Sequence, residues 1–297
     1  MSPPAATAAP RATTAAVQDE IDRARRSGPL QHITIPPCPT LLLRLKDALA
    51  PREPDLGEVA HIASHDVAMS AALIRLANSP VHGNGHAVST VGQAMTLLGL
   101  DETARSMTEF LVAKALPVRN AQLDRFWERS RRRAVAMAFI ARQLPGLPVD
   151  VAHAHGLFCH VGLPVLLQCV RGYSATLMEA DMRHDRSGLA TENANHRTDH
   201  AVTGALVCKL WRFSPTLVAS VRLHHELAHL GDGGADNEVH TLVAAGLVAE
   251  HLMRRAEQMP PDRDWHDHAG TALDWLAVGA DELEGWEDQL QPLFDAA

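Results

Sequence analysis

Helix-start signals recur along this chain at short intervals, while no stretch alternates apolar and polar residues for long enough to make a strand; together these restrict it to an all-α fold. Asp55-x-x-Glu58 reads as a capping box opening a helix that runs to Ser64. Asp66 can cap the next helix, which ends near Asn78, where Asn tolerates the left-handed conformation and Pro80 forbids continuation. Thr90-x-x-Gln93 opens another helix, Gly99 stops it, and Asp101 caps its successor. Leu41, Leu42, Leu45 and Leu49 give residues 40–49 one apolar helical face. Pro117 ends this first group.

A second group is predicted over 121–143, 149–170, 172–184, 198–212, 215–227 and 237–256, punctuated by Pro145, Gly146, Pro148 and Gly231-Asp232-Gly233-Gly234. Gly83-Asn84-Gly85 marks a loop in the first group. Gly92, Gly99, Gly156, Gly162 and Gly204 read as turn or close-packing positions, none of them in a phosphate-cradling loop. Residues 1–16 are mostly Ala, Pro, Thr and Ser and are expected to be disordered, followed by a short polar helix from Val17 to Ser27. From Pro260 an acidic tail carrying Trp265, Trp275 and Trp286 can form one or two more helices. The expected organisation is therefore an arm over 1–28, a body over 30–255 divided into 30–116 and 121–255, and a tail over 260–297.

Composition narrows the function classes. Hydrophobic residues make up 46% of the chain and aromatic residues only 4%, so aliphatic side chains and alanine must fill the core. A net charge of -8 argues against a nucleic-acid binder, whose phosphate contacts need clustered Lys and Arg. Arg129, Arg131, Arg132 and Arg133 crowd one helix start, but three consecutive arginines span about 200° of a helix and read as a solvated face. The apolar stretch from Gly156 to Val170 is interrupted by Cys159-His160 and Gln168, so no membrane span is expected. Cys38, Cys159, Cys169 and Cys208 lack a paired spacing, which fits reduced thiols in a cytoplasmic protein.

The string Ala154-His155-Gly156-Leu157-Phe158-Cys159-His160-Val161-Gly162 carries the most chemical information. It resembles the apolar-Gly-Leu-Leu-His-Asp-Ile-Gly motif of the HD phosphohydrolase superfamily, with Cys159-His160 in place of the metal-binding His-Asp pair. Ile35-Pro36-Pro37-Cys38-Pro39, Arg75-Leu76-Ala77-Asn78-Ser79, Val88-Ser89, Gln93-Ala94 and Leu97-Leu98-Gly99-Leu100 follow in order. So do Phe126-Trp127-Glu128-Arg129-Ser130, Asp199-His200-Ala201-Val202-Thr203-Gly204-Ala205 and Leu223-His224-His225-Glu226. Taken in sequence, these elements are similar to the HD-related output domain, HDOD, over roughly residues 30 to 255. The resemblance implies a multi-helix fold in which an N-terminal bundle packs on a degenerate HD-like subdomain.

It also implies lost chemistry. Arg129 stands where the first superfamily histidine belongs, and its fixed positive charge opposes a neighbouring divalent cation. A thiol and an imidazole lack the oxygen that neutralises a metal and orients its water. No catalytic residue, metal or cofactor is therefore expected. Cys159, His160, His200, His224 and His225 remain as residual metal candidates, with His200, His224 and His225 read as buried core groups because no carboxylate partner is evident. Residues 224 and 225 would point about 100° apart on a helix, placing only one of them toward His200. His153 and His160 lie on the side of a continuous helix opposite His155, so this segment alone cannot supply a zinc site. The Gly-Tyr-Pro element of the related cyclic di-GMP phosphodiesterases is absent after Glu226.

The expected function is that of a catalytically inactive bacterial signal-transduction protein acting through a protein partner. An anionic ligand such as a nucleotide is expected in a vestigial pocket near Arg129, Cys159, His160 and His200. The alternative is a divergent metal-dependent phosphohydrolase.

Overall fold

The computed structural model describes residues 13–83, 85–183, 185–230 and 236–296, and among these residues there is no β-strand. Asn84 and the 231–234 separator lie outside the described residues, as do residues 1–12 of the expected disordered arm. The helices are α1 (Thr14–Ser27), α2 (Thr40–Leu49), α3 (Leu56–His65), α4 (Val67–Ala77) and α5 (Val91–Ala115). They continue with α6 (Phe126–Gln143), α7 (Val149–Phe158), α8 (Gly162–Cys169), α9 (Tyr173–Met182) and α10 (Gly188–His196). The last are α11 (His200–Leu210), α12 (Pro215–Leu223), α13 (Asn237–Ala256), α14 (Arg263–Leu276) and α15 (Ala280–Ala296).

Three of the expected caps act where the sequence puts them. Asp55 accepts from the Glu58 amide, Asp66 from the Ala68 and Met69 amides, and Thr90 with Gln93 closes a reciprocal capping box. Gly99 has φ +77°, a left-handed kink inside α5 that a residue with a Cβ would resist. Asn78 is not left-handed: with φ -89° and ψ 2° it instead bonds Ile74 O and both the amide and carbonyl of Val88, stapling the loop that follows α4.

Helices α2–α5 bury Leu42, Leu45, Ile62, Met69, Leu73 and Met107. Behind them α6 packs against α7 and α13 through a small-residue face, and α8, α11 and α12 close the other side. Helix α1 is part of this body: Val17 and Ile21 are buried against it, while Glu20 binds Arg222 at 2.8 Å and Asp22 binds Lys209 at 2.7 Å. The C-terminal helices cover α13 and α6. Trp286, Leu290 and Phe294 are buried, Trp286 meets Phe139 edge to face, and Trp265 stacks on His251 with ring centroids 3.6 Å apart.

Five features depart from expectation, the first four each for a local reason. The predicted 149–170 helix is broken at Cys159–Val161, because Pro164 donates no amide hydrogen and its ring would clash with the residue 160 carbonyl. Helix α12 stops at Leu223 rather than 227, since the His224 ring turns back to donate to Val221 O at 2.7 Å. Helix α10 lacks an apolar period and was not expected; Ser187 caps it by accepting from Ala190 N. The arginines of α6 are not a solvated face. Arg129, Arg132 and Arg133 form ion pairs with Glu250 of α13, with Glu257 just past its end and with Glu128 of α6 itself, and Arg131 pairs with Glu109 of α5. The run Val149–Cys169 is long and apolar enough to cross a membrane, contrary to the expectation of no such run; 67% of its apolar window is buried inside the protein.

Candidate functional site

Two glycines set the frame of the site. A Cβ on Gly156 would lie 2.7 Å from Ala134 Cα and Arg133 O, so α7 rides directly on α6. A Cβ on Gly162 would lie 2.1 Å from His200 O, so the start of α8 sits on the start of α11. The first contact brings Cys159 to Arg133, and the second brings His160 to His200.

Four histidines converge at the second contact: one ring nitrogen from each of His160, His200, His224 and His225 lies within 4.8 Å of the others. His160 Nδ1 is 3.1 Å from His200 Nε2, and His200 Nε2 is 3.3 Å from His224 Nε2. Both members of the His224-His225 pair therefore face the cluster. The expectation that only one would do so assumed a helix running through them, and the chain leaves the helix at Leu223.

Carboxylates and a carbonyl hold these rings from behind. Glu192 of α10 takes His200 Nδ1 at 2.8 Å and the His200 amide at 2.7 Å, and its Oε2 also accepts from Tyr173 OH at 2.8 Å. Asp264, in the first turn of α14, takes His225 Nδ1. His224 Nδ1 is held by Val221 O. The expected absence of carboxylate partners is thus corrected. Glu192 lies on the helix missing from the sequence reading, and Asp264 on the tail that carried no assigned task. Asp264 has no sequence signal linking it to His225; Ser187, three residues before Ala190, was the cap signal available for α10.

Burial opposes charging of His200, but Glu192 outweighs it and raises the imidazole above its ordinary range. His160 and His224 are pushed well down, by burial first and then by neighbouring Arg133 or the other histidines. These two rings are neutral at physiological pH, with lone pairs free to donate to an electrophile.

At the first contact Arg133 is buried and its guanidinium grips Glu250 Oε2 through Nε at 2.9 Å and Nη2 at 2.7 Å. Beside it the Cys159 thiol is buried, and burial raises its pKa. Arg129 does not join Cys159, His160 and His200 as expected. One turn earlier on α6, it reaches Glu250 and Glu257, while Arg133 takes the pocket position. His153 points to Glu109 at 3.0 Å, away from the cluster, and His155 bonds Ser220 Oγ at 2.9 Å.

All this opens on a cavity of about 840 Å³ whose far wall is the α9–α10 hairpin. Arg197 on that wall is exposed and has no carboxylate partner among the described residues, and the buried Thr198 hydroxyl beside it is unpaired.

The site is a polar, histidine-lined cleft in a layered all-helical body. The HDOD domain family model matches residues 35–227, and the chain belongs to the HDOD family. An uncharacterised protein of Treponema pallidum (strain Nichols) is 21% identical over 222 residues, 74% of this chain and 42% of that protein, so the chain spans under half of the curated relative it matches. Among solved structures, an HDOD domain protein of unknown function from Geobacter sulfurreducens is 19% identical, with TM-score 0.70, 94% of this chain and 98% of that chain covered. A Shewanella amazonensis SB2B protein provisionally named a phosphohydrolase is 20% identical, with TM-score 0.69, 95% and 97% covered. At these identities the likeness concerns the fold.

A hydrolytic metal centre of the HD kind does not fit the Cys159 end. The thiol is buried and protonated, the guanidinium of Arg133 stands beside it, and Glu250 is already committed to Arg133 and Arg129.

Proposed function

We propose that this HDOD protein is a non-hydrolytic regulatory module of the bacterial cytoplasm, passing a signal through ligand binding in the cavity and through contact with a signalling partner. The observation that carries the reading is the Arg133–Glu250 pair beside Cys159. A buried guanidinium puts a permanent positive charge where hydrolysis would need a second cation, and no carboxylate is among the four converging ligand atoms. Arg197 and the unpaired Thr198 hydroxyl favour an anionic ligand, in place of the role expected of Arg129.

The second reading, a divergent metal-dependent phosphohydrolase, draws on the four convergent histidines. A phosphodiesterase assay separates the two, using cyclic dinucleotides and bis(p-nitrophenyl) phosphate with Mg²⁺, Mn²⁺, Fe²⁺ or Zn²⁺ added. No turnover above buffer is expected. Turnover that disappears in His200→Ala would overturn the regulatory reading. For the ligand, calorimetric titration with cyclic dinucleotides and pyrophosphate is expected to show binding that Arg197→Ala weakens about tenfold, the worth of one charge-assisted contact; unchanged affinity in Arg197→Ala sinks the anionic assignment.

A further inference from the structure

We propose that His160, His200, His224 and His225 form a mononuclear site for a borderline divalent transition metal of the zinc class. The inference goes beyond the regulatory reading and fails separately from it.

The hydrogen bonds behind the rings fix their tautomers. The Val221 carbonyl can only accept, so His224 Nδ1 carries the hydrogen. An ionised Glu192 can only accept, so His200 Nδ1 carries one too, and Asp264 sets His225 Nδ1 the same way. In each of these rings Nε2 is then the atom presented to the cluster. His200 Nε2 and His224 Nε2 face each other at 3.3 Å, close enough for one cation to bridge them. His160 Nδ1 stands 3.1 Å from the same His200 Nε2. A cation at the centre can take all of these nitrogens together.

Distances and donor type select the cation. Tetrahedral zinc with Zn–N of about 2.0–2.1 Å has ligand nitrogens about 3.3–3.4 Å apart. The two short separations here are 3.1 and 3.3 Å, and every pair is within 4.8 Å. Four imidazoles with no first-rank carboxylate suit Zn²⁺, Co²⁺ or Ni²⁺ and disfavour the oxygen-seeking Mg²⁺ and Ca²⁺. Glu192 and Asp264 are the outer partners that orient metal-binding imidazoles. Four protein ligands close a tetrahedral site and leave no position for a reacting water, the arrangement of a structural or sensing centre.

The test uses the full chain, stripped by chelator and dialysed, then titrated with ZnCl₂ and with MgCl₂ by calorimetry, with bound metal counted by elemental mass spectrometry. Expected are one zinc per chain and no heat with magnesium. Cobalt(II) substitution should give four-coordinate visible bands without thiolate-to-cobalt charge transfer, which excludes a cysteine site. His224→Ala should weaken zinc at least about 100-fold, and the positioning change Glu192→Gln about 10–100-fold. Cys159→Ala should leave the affinity within about twofold, because its thiol faces Arg133. Should His224→Ala fail to fold by circular dichroism, wild-type stoichiometry and the cobalt spectrum still decide. Wild-type protein that takes up no stoichiometric zinc, or a cobalt spectrum with thiolate charge transfer, would overturn the site. Zinc bound together with phosphodiester turnover would instead leave the site standing and remove the regulatory reading.

Discussion

Gly162→Ala tests the contact on which the site is built. The new methyl would sit 2.1 Å from His200 O and 2.8 Å from both His200 C and Gly204 N, all of them backbone atoms that cannot rotate aside. An unstrained contact needs about 3.5 Å, so α8 must back away from α11 by roughly 1 Å or more. Overpacking a core costs about 1–3 kcal/mol, and backbone obstruction puts this case near the top, about 3 kcal/mol. For a chain of this size that is a fall in Tm of roughly 6–12 °C. The matched control is Gly270→Ala, on the exposed face of α14, where a Cβ meets nothing within 4 Å. Relief of glycine's chain entropy there should stabilise by about 0.5–1 kcal/mol. Thermal melts followed by far-UV circular dichroism read both. If Gly162→Ala melts within about 0.5 kcal/mol of wild type, the α8–α11 contact does not set the His160–His200 separation and the reasoning is wrong.

Other outcomes follow from the same packing and charge arguments. Burial works against ionisation of Glu250, but Arg133 and Arg129 prevail and hold its carboxyl below the ordinary range. Such a depressed carboxylate stabilises fully above its unfolded pKa of about 4.3, and that contribution is lost as pH falls through the folded value. Glu250→Gln should therefore cost about 3 kcal/mol near neutrality, with the gap to wild type narrowing below about pH 4 in urea titrations; a gap independent of pH would refute this. Trp286→Ala removes a buried indole from the α15–α6 contact and should cost about 3 kcal/mol, read as faster proteolysis of the C-terminal helices at unchanged cleavage of α2–α5; equal effects on both regions would sink the local assignment. Native maleimide labelling should modify exposed Cys169 first, then half-buried Cys38, with Cys159 and Cys208 protected until unfolding. Rapid native labelling of Cys159 would contradict its burial against Arg133.

Much of the helical frame could be read directly from local chemistry, because capping and glycine kinks act within a few residues. Asp55, Asp66 and Thr90-Gln93 start helices where their side chains reach the first free amides, and Gly99 breaks α5 where only glycine takes φ +77° easily. Helical-wheel reasoning failed where the helix itself stopped. The predicted 149–170 helix presupposes a helix through Cys159–Val161, and the 100° separation of His224 from His225 presupposes one through both of those residues. Pro164 breaks the 149–170 helix and the His224–Val221 bond ends the other at those residues. Pro164 was a legible signal in the first case; the second depends on a side-chain bond that no periodicity records. The exchange of Arg129 for Arg133 is a one-turn error of the same kind. Both residues lie on one side of α6, and only the position of Gly156 against Arg133 O decides which of them reaches Cys159.

The site's outer charges come largely from beyond the matched family segment. Residues 35–227 contain the four histidines, Cys159, Arg133 and Glu192, yet Glu250 belongs to α13 and Asp264 to α14. Without Glu250 the buried Arg133 would be an unpaired cation beside His160, and without Asp264 the tautomer of His225 would be unset. The C-terminal helices therefore do more than cover apolar surface. Trp265, one residue after Asp264, stacks on His251 one residue after Glu250, so a single aromatic contact registers both carboxylates against the cleft. A change in how α14 sits on α13 would alter the charge at both ends of the site together. A partner that displaced α14 would act on the histidine cluster without touching any of its four rings.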